Sequence, residues 1–189
     1  MSWSTATTWA ANLVYHDNVR NVDYSNWRLP TMVDTGIPGC NLANSGTDCG
    51  YNVQTVNTST NPVTVYSELA HMYYNNLGNK GYYNTAGQLQ SGYGLVNDPN
   101  NPNDESLFSN LQSAVYWSNL SYPWVPGGAW HFYAQVGGQF AHNESGDFYA
   151  WAVRPGDVAA VAAVPEADTW AMLLAGLGLV GVAARRRRG

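Results

Sequence analysis

Apolar positions fall into two kinds of pattern along the chain. Within residues 3–14, Ala6, Trp9, Ala10 and Leu13 recur at helical spacing behind Ser2 or Ser4 as N-cap, which predicts an amphipathic helix. A second helix is expected in SELAHMYYNNLG. Ser67 caps it, Glu68 sits near its positive end, Gly78 stops it, and Leu69, Met72, Tyr73 and Leu77 form its inward stripe. Residues 113–119, 128–136 and 148–155 instead read as strands, rich in aromatic and β-branched residues. Gly137-Gly138 fits a tight turn from the second of these into a short strand at 139–142. Pro30 pushes Leu29 to an extended conformation. Two helices followed by an antiparallel sheet make an α+β domain.

The last pattern is continuous. Trp170 to Ala184 is an unbroken run of fifteen apolar or small residues, closed by Arg185, Arg186, Arg187 and Arg188. As a helix it spans ~22 Å against a hydrocarbon core of ~30 Å. It is apolar on every face, and the arginines that end it can snorkel to the cytoplasmic side. A C-terminal transmembrane helix over 170–184 is expected, behind an Ala/Val linker at 158–163.

Removing that tail leaves about 160 residues, the size of one domain. Charge separates the two parts. Residues 1–163 hold four basic residues (Arg20, Arg28, Lys80 and Arg154) against eleven acidic ones, a net charge of −7. Binding to nucleic acid requires clustered cations, so it is excluded as a partner; sulfated and phosphorylated polymers are disfavoured for the same reason, and neutral glycans and cation-bridged ligands are not. Eight Trp and thirteen Tyr with only 11% charged residues exclude a disordered chain and fit a neutral-polar, aromatic surface.

Cys40 and Cys49 flank a Gly/Asn/Ser loop and are read as a local disulfide, which places the domain in an oxidising compartment. They lie in an insertion loop of about residues 34–66. The stretch NDPNNPNDES gathers Asp98, Asp104 and Glu105 among amide oxygens, a candidate calcium site of hard oxygen ligands that lacks the EF-hand spacing. Trp124, with Tyr122 and Asn119 nearby, sits in the Pro/Gly loop SYPWVPGG, where rings can stack on sugar faces and amides can bond to hydroxyls. Arg28 and Arg154 lie near prolines in aromatic surroundings. Each is expected to be partly buried and paired with a carboxylate such as Glu68 or with carbonyls, so that Arg154→Ala would unfold the domain. His16, His71, His131 and His142 make no metal or triad motif, so no catalytic residue is assigned.

Val164, Pro165 and Glu166, the apolar run and the Arg cluster together resemble the PEP-CTERM sorting signal of Gram-negative bacteria, over residues 164–189. The resemblance implies export, anchoring in the inner membrane and processing by an exosortase, in hosts that make exopolysaccharide. MSWSTATTWAANL has neither the basic start nor the apolar core of a signal peptide, so an upstream beginning of the chain is expected.

The body, residues 1–157, resembles the Lcl C-terminal domain family, from Legionella collagen-like proteins. The matching elements are Trp3 and its helix, Asn26-Trp27-Arg28-Leu29-Pro30-Thr31, Ser67-Glu68-Leu69, Tyr116-Trp117-Ser118, Ala129-Trp130 and Ala152-Val153-Arg154-Pro155. The cysteine loop before Glu68 departs from the family pattern. The resemblance implies a C-type-lectin-like or formylglycine-generating-enzyme-like fold, with Trp27, Arg28, Glu68, Trp117 and Arg154 in structural roles. The expected function is a non-catalytic cell-surface or matrix protein that binds extracellular polysaccharide. A structural, self-associating surface protein and an enzyme of unassigned chemistry are the alternatives.

Overall fold

The structure, a computed structural model, describes residues 1–34, 44–46, 48–57, 64–95 and 111–155. The chain divides into two units, Met1–His16 with Asp23–Pro155, and Asp17–Val22 with Gly156–Gly189. In the second, Asp17 closes a turn by accepting from the Val19 and Arg20 amides and from the Arg20 guanidinium.

The first unit is built on a four-stranded antiparallel sheet. Strands β6 (Val115–Tyr122), β7 (Gly128–Tyr133) and β8 (Gly138–Asn143) form a meander, and β3 (Gly50–Tyr51) adds to the edge of β8. The remaining strands form two-stranded ribbons: β1 (Tyr15–Asp17) with β2 (Val22–Tyr24), and β4 (Val56–Asn57) with β5 (Thr64–Val65). Sequence and structure therefore agree on α+β architecture with antiparallel pairing. They differ at residues 148–155. That segment is not a strand of the sheet: it meets β6 through one parallel bridge, Tyr149 to Tyr116, and meets the Arg28 segment through an antiparallel one, Val153 to Arg28. The opposite edge, on β8, is taken by Gly50 and Tyr51, from within the expected insertion, paired to Gln139 and Gly138.

Helix α1 (Trp3–Asn12) is capped by Ser2, whose hydroxyl accepts from the Thr5 amide. Its buried residues are Ala6 and Ala10, which pack with Leu29, Trp117 and Ala129. Two alanines at i and i+4 let the helix approach closely enough to cover Trp117. Trp9, expected on this face, is 38% exposed, and Trp3 docks instead, its indole N–H donating to the Ser118 carbonyl at 2.8 Å.

The opposite sheet face, carrying Tyr116, Phe132 and Ala134, packs against Leu69, Ala70 and Tyr73 of the second helical segment. There α2 (Glu68–His71) widens into a π-helical turn over Met72–Asn76 before Gly78 at φ 65°. Coverage on both faces explains why β7 is buried from Gly128 to Phe132. Ser67 caps α2 and donates to Gln139 at 2.7 Å, while Gln139 donates to the Asp48 carbonyl at 2.6 Å. A buried amide on β8 thus ties the helix start to the segment leading into β3.

A bulge in β6 between Trp117 and Ser121 supplies the third organising feature. It frees Ser118 and Asn119 from the ladder. Ser118 holds Trp3, and the Asn119 amide donates to the Pro30 carbonyl at 2.9 Å.

Candidate functional site

The segment Arg28–Val33 is strapped to the domain from several sides. Arg28 and Val153 exchange backbone bonds at 2.8 Å, Glu68 donates to the Thr31 carbonyl at 3.0 Å, and Val33 donates to the Tyr66 carbonyl at 2.7 Å. Beside it lies a cavity of about 240 Å³ lined by Pro30, Glu68, Leu69, His71, Met72, Trp151 and Val153. Its walls are apolar apart from Glu68 and His71.

Glu68 is committed. It accepts two guanidinium bonds from Arg28, at 2.6 and 2.8 Å, and the Thr31 amide at 2.6 Å. Burial pushes its carboxyl up, but these bonds and the Arg28 charge outweigh burial and leave its pKa below the ordinary value. The hydrogen bond to Glu68 correspondingly raises Arg28. A carboxylate held in this way is a poor general acid or base. His71 places a buried Nδ1 beside the cavity, without a partner among the described residues.

Arg154 differs from its expectation. Its guanidinium lies over the Tyr24 ring, 4.5 Å from the centroid, and its buried Nε has no hydrogen-bond partner among the described residues. The carboxylate of this region, Glu68, is taken by Arg28, so stacking on Tyr24 replaces the expected ion pair. Trp27 donates from its indole to the Tyr24 carbonyl at 2.8 Å, and Trp117, fully buried, donates to the Met1 carbonyl at 3.0 Å.

The three candidate ligand residues separate. Trp124 is 43% exposed in the β6–β7 loop, next to Val125 at 53%. Tyr122 turns inward, stacks edge-on against Trp130 at 4.9 Å, and is only 9% exposed. It belongs to the core cluster with Met32 and Cys49, which corrects its assignment beside Trp124. Asn119 is exposed, but its backbone serves the Pro30 bond.

His131 is buried on the α1 side of the sheet, among Trp117, Phe140, Phe148 and His142. Burial, with a smaller contribution from His142, lowers its pKa to about 4, so the imidazole is neutral at physiological pH. Cys49 is buried and not a free thiol. Its assigned partner Cys40 lies outside the described residues, as do Asp98, Asp104 and Glu105. Among the described residues no three metal-ligating side chains converge.

Sequence comparison adds one finding. Residues 163–188 match the model of the PEP-CTERM protein-sorting motif, a segment of 26 residues in a chain of 189. The motif implies an exported protein, anchored in the membrane before exosortase cleavage. No curated protein and no solved structure matches the chain. Val164, Pro165, Glu166, the apolar run and the four terminal arginines all fall within the match, and all lie outside the described residues. Among the described residues no helix is long and apolar enough to cross a membrane.

Proposed function

We propose that this protein is a non-catalytic surface or matrix component whose body, of the lectin-like Lcl C-terminal type, binds neutral extracellular polysaccharide. The exosortase signal delivers that body to the place where such polymers lie. Export rests on the match at 163–188. The observation that carries glycan binding is the exposure of Trp124. A large ring 43% exposed between Pro123 and Pro126 costs little entropy to immobilise and suits the C–H face of a sugar.

The non-catalytic reading is supported by the groups that chemistry would need. Glu68 is spent on Arg28 and Thr31, and His131 is buried among aromatic rings and His142.

Affinity electrophoresis of the full chain in non-ionic detergent, through gels containing a neutral polysaccharide, tests this reading. Saturable retardation that falls about tenfold in Trp124→Ala is the expected result, a loss of ~1.4 kcal/mol. The same gel run with EDTA tests calcium at Asp98, Asp104 and Glu105. Unretarded migration in every neutral polysaccharide rejects glycan binding and leaves an exported structural protein.

A further inference from the structure

Four tyrosines meet at one end of the sheet. Tyr51 belongs to β3; Tyr82, Tyr83 and Tyr93 belong to the irregular segment that follows the second helix. Tyr51 and Tyr83 pack edge to face at 5.1 Å, Tyr82 and Tyr83 at 4.7 Å, and Tyr82 and Tyr93 at 4.7 Å. Phe140 of β8 anchors the group through Tyr51 at 5.8 Å.

Backbone bonds hold this arrangement. Tyr82 donates to the Val136 carbonyl at 2.7 Å and Gln90 donates to Tyr82 at 3.0 Å. The Asn52 side chain donates to the Tyr83 carbonyl at 2.8 Å, which ties the segment to the residue after β3. The rings are therefore fixed before any ligand arrives.

Their hydroxyls set them apart from the tyrosines that pack around the second helical segment and β6–β7. Tyr73, Tyr74, Tyr116 and Tyr133 each donate to a protein oxygen. The hydroxyls of Tyr51, Tyr82, Tyr83 and Tyr93 have no protein partner among the described residues. Tyr93 is 41% exposed and the neighbouring Leu89 62%, while the other three rings are half-buried. The amides of Asn84, Gln88 and Gln90 on the same segment are engaged within it: Asn84 donates to the Gln88 side chain and Gln90 to the Gly81 carbonyl. The Tyr51 phenol ionises above its ordinary range, first because it is partly buried and then because Tyr83 and Tyr82 lie close to it. At neutral pH Tyr51 thus presents a neutral O–H donor.

We propose that Tyr51, Tyr82, Tyr83 and Tyr93 form a binding surface for a neutral polysaccharide chain. The phenol hydroxyls exchange hydrogen bonds with sugar hydroxyls, and the exposed Tyr93 ring carries the apolar face of a sugar. A neutral ligand fits because the net −7 of residues 1–163 repels an anionic polymer, and Lys80, bonded through its carbonyl to the Gly94 amide, is the one cation of the segment that carries Tyr82, Tyr83 and Tyr93. This proposal rests on the glycan reading and gives it a second contact area, separate from the β6–β7 loop.

The test uses the full chain in non-ionic detergent, run through gels containing dextran, hydroxyethylcellulose, galactomannan or alginate. Tyr51→Phe, Tyr82→Phe and Tyr83→Phe are combined, which keeps the ring packing and removes three hydroxyls. Retardation by a neutral polymer that weakens at least tenfold in the triple variant, with an unchanged melting temperature, is the expected result. The same loss in the Trp124→Ala background makes the two areas independent. Wild-type retardation in the triple variant overturns the tyrosine surface, and a loss in Trp124→Ala alone then leaves glycan binding standing. Retardation by alginate alone overturns the neutral class. No retardation by any neutral polymer removes both this surface and the function it rests on.

Discussion

Arg28 holds Glu68 across forty residues of sequence, with both terminal guanidinium nitrogens on both carboxylate oxygens at 2.6 and 2.8 Å. The pair joins the first residue of the Arg28–Val33 strap to the first turn of α2. Its two side chains are about one-third exposed, at 34% and 29%, so water screens part of the attraction. Truncating one partner still leaves a half-buried charge facing carbonyls or amides. Glu68→Ala is expected to cost ~2–3 kcal/mol, read as a lowered midpoint in urea unfolding.

Arg154→Ala is expected to cost less, ~1 kcal/mol, because a cation over a ring is worth ~0.5–2 kcal/mol. The domain should remain folded, in contrast to the expectation drawn from sequence. A urea midpoint below that of Glu68→Ala would show that Arg154 carries more than its stacking on Tyr24.

Acid sensitivity should come in two stages. His131 has a folded pKa of about 4 against an ordinary 6.5, so the unfolded chain takes up a proton that the folded one refuses. Stability is full above pH 6.5 and falls as pH drops towards 4, by at most ~1.4 kcal/mol per pH unit. Glu68 has a folded pKa lowered from 4.5, so its contribution is present above that value and is lost below it. Urea midpoints followed from pH 8 to pH 3 should show the first slope vanish in His131→Phe and the second shrink in Glu68→Gln.

Local rules made much of this fold legible. Ser67 announced the second helix start, the structure chose Ser2 over Ser4 at the first, and the aromatic strands announced the meander. Three features depended on tertiary contacts that no local pattern encodes. Trp9 and Trp3 are both plausible inward residues, and the choice was made by the carbonyl that the β6 bulge leaves free at Ser118. Residues 148–155 have strand composition, yet they meet the β6 edge only at Tyr149, while at the opposite edge Gly50 and Tyr51 pair with β8, where Gln139 reaches back to Asp48. Tyr122 reads as a loop aromatic but is the last residue of β6, and there it meets Trp130. The tyrosine surface was masked by its Gly/Asn background; the only local trace was the density of Tyr in GYY at 81–83 and GYG at 92–94.

Gly137 is required by its surroundings. It turns β7 into β8 at φ 64°, and a Cβ there would sit 2.7 Å from the Tyr73 ring and 2.8 Å from the Tyr74 hydroxyl. Gly92, at φ 67°, has open space around its Cβ direction. Gly92→Ala should therefore cost only the left-handed penalty of ~1–2 kcal/mol. Gly137→Ala adds a clash with two packed rings and should cost ~1–3 kcal/mol more. Equal thermal melts for the two variants would show that Tyr73 and Tyr74 move aside freely.

Cys49 lies in the core with Met32, Tyr122 and Trp130, one residue before β3. A disulfide to Cys40 would close a short loop at the approach to the edge strand, and chain entropy gives such a link ~2–3 kcal/mol. Peptide mapping of the exported protein without reductant should recover a Cys40–Cys49 linked pair. The double substitution Cys40→Ser with Cys49→Ala should lower stability by that amount and loosen β3, which hydrogen exchange at Gly50 and Tyr51 would report. If exchange there stayed slow in the variant, the pairing of β3 with β8 and the Gln139–Asp48 bond would suffice to hold the edge without the disulfide.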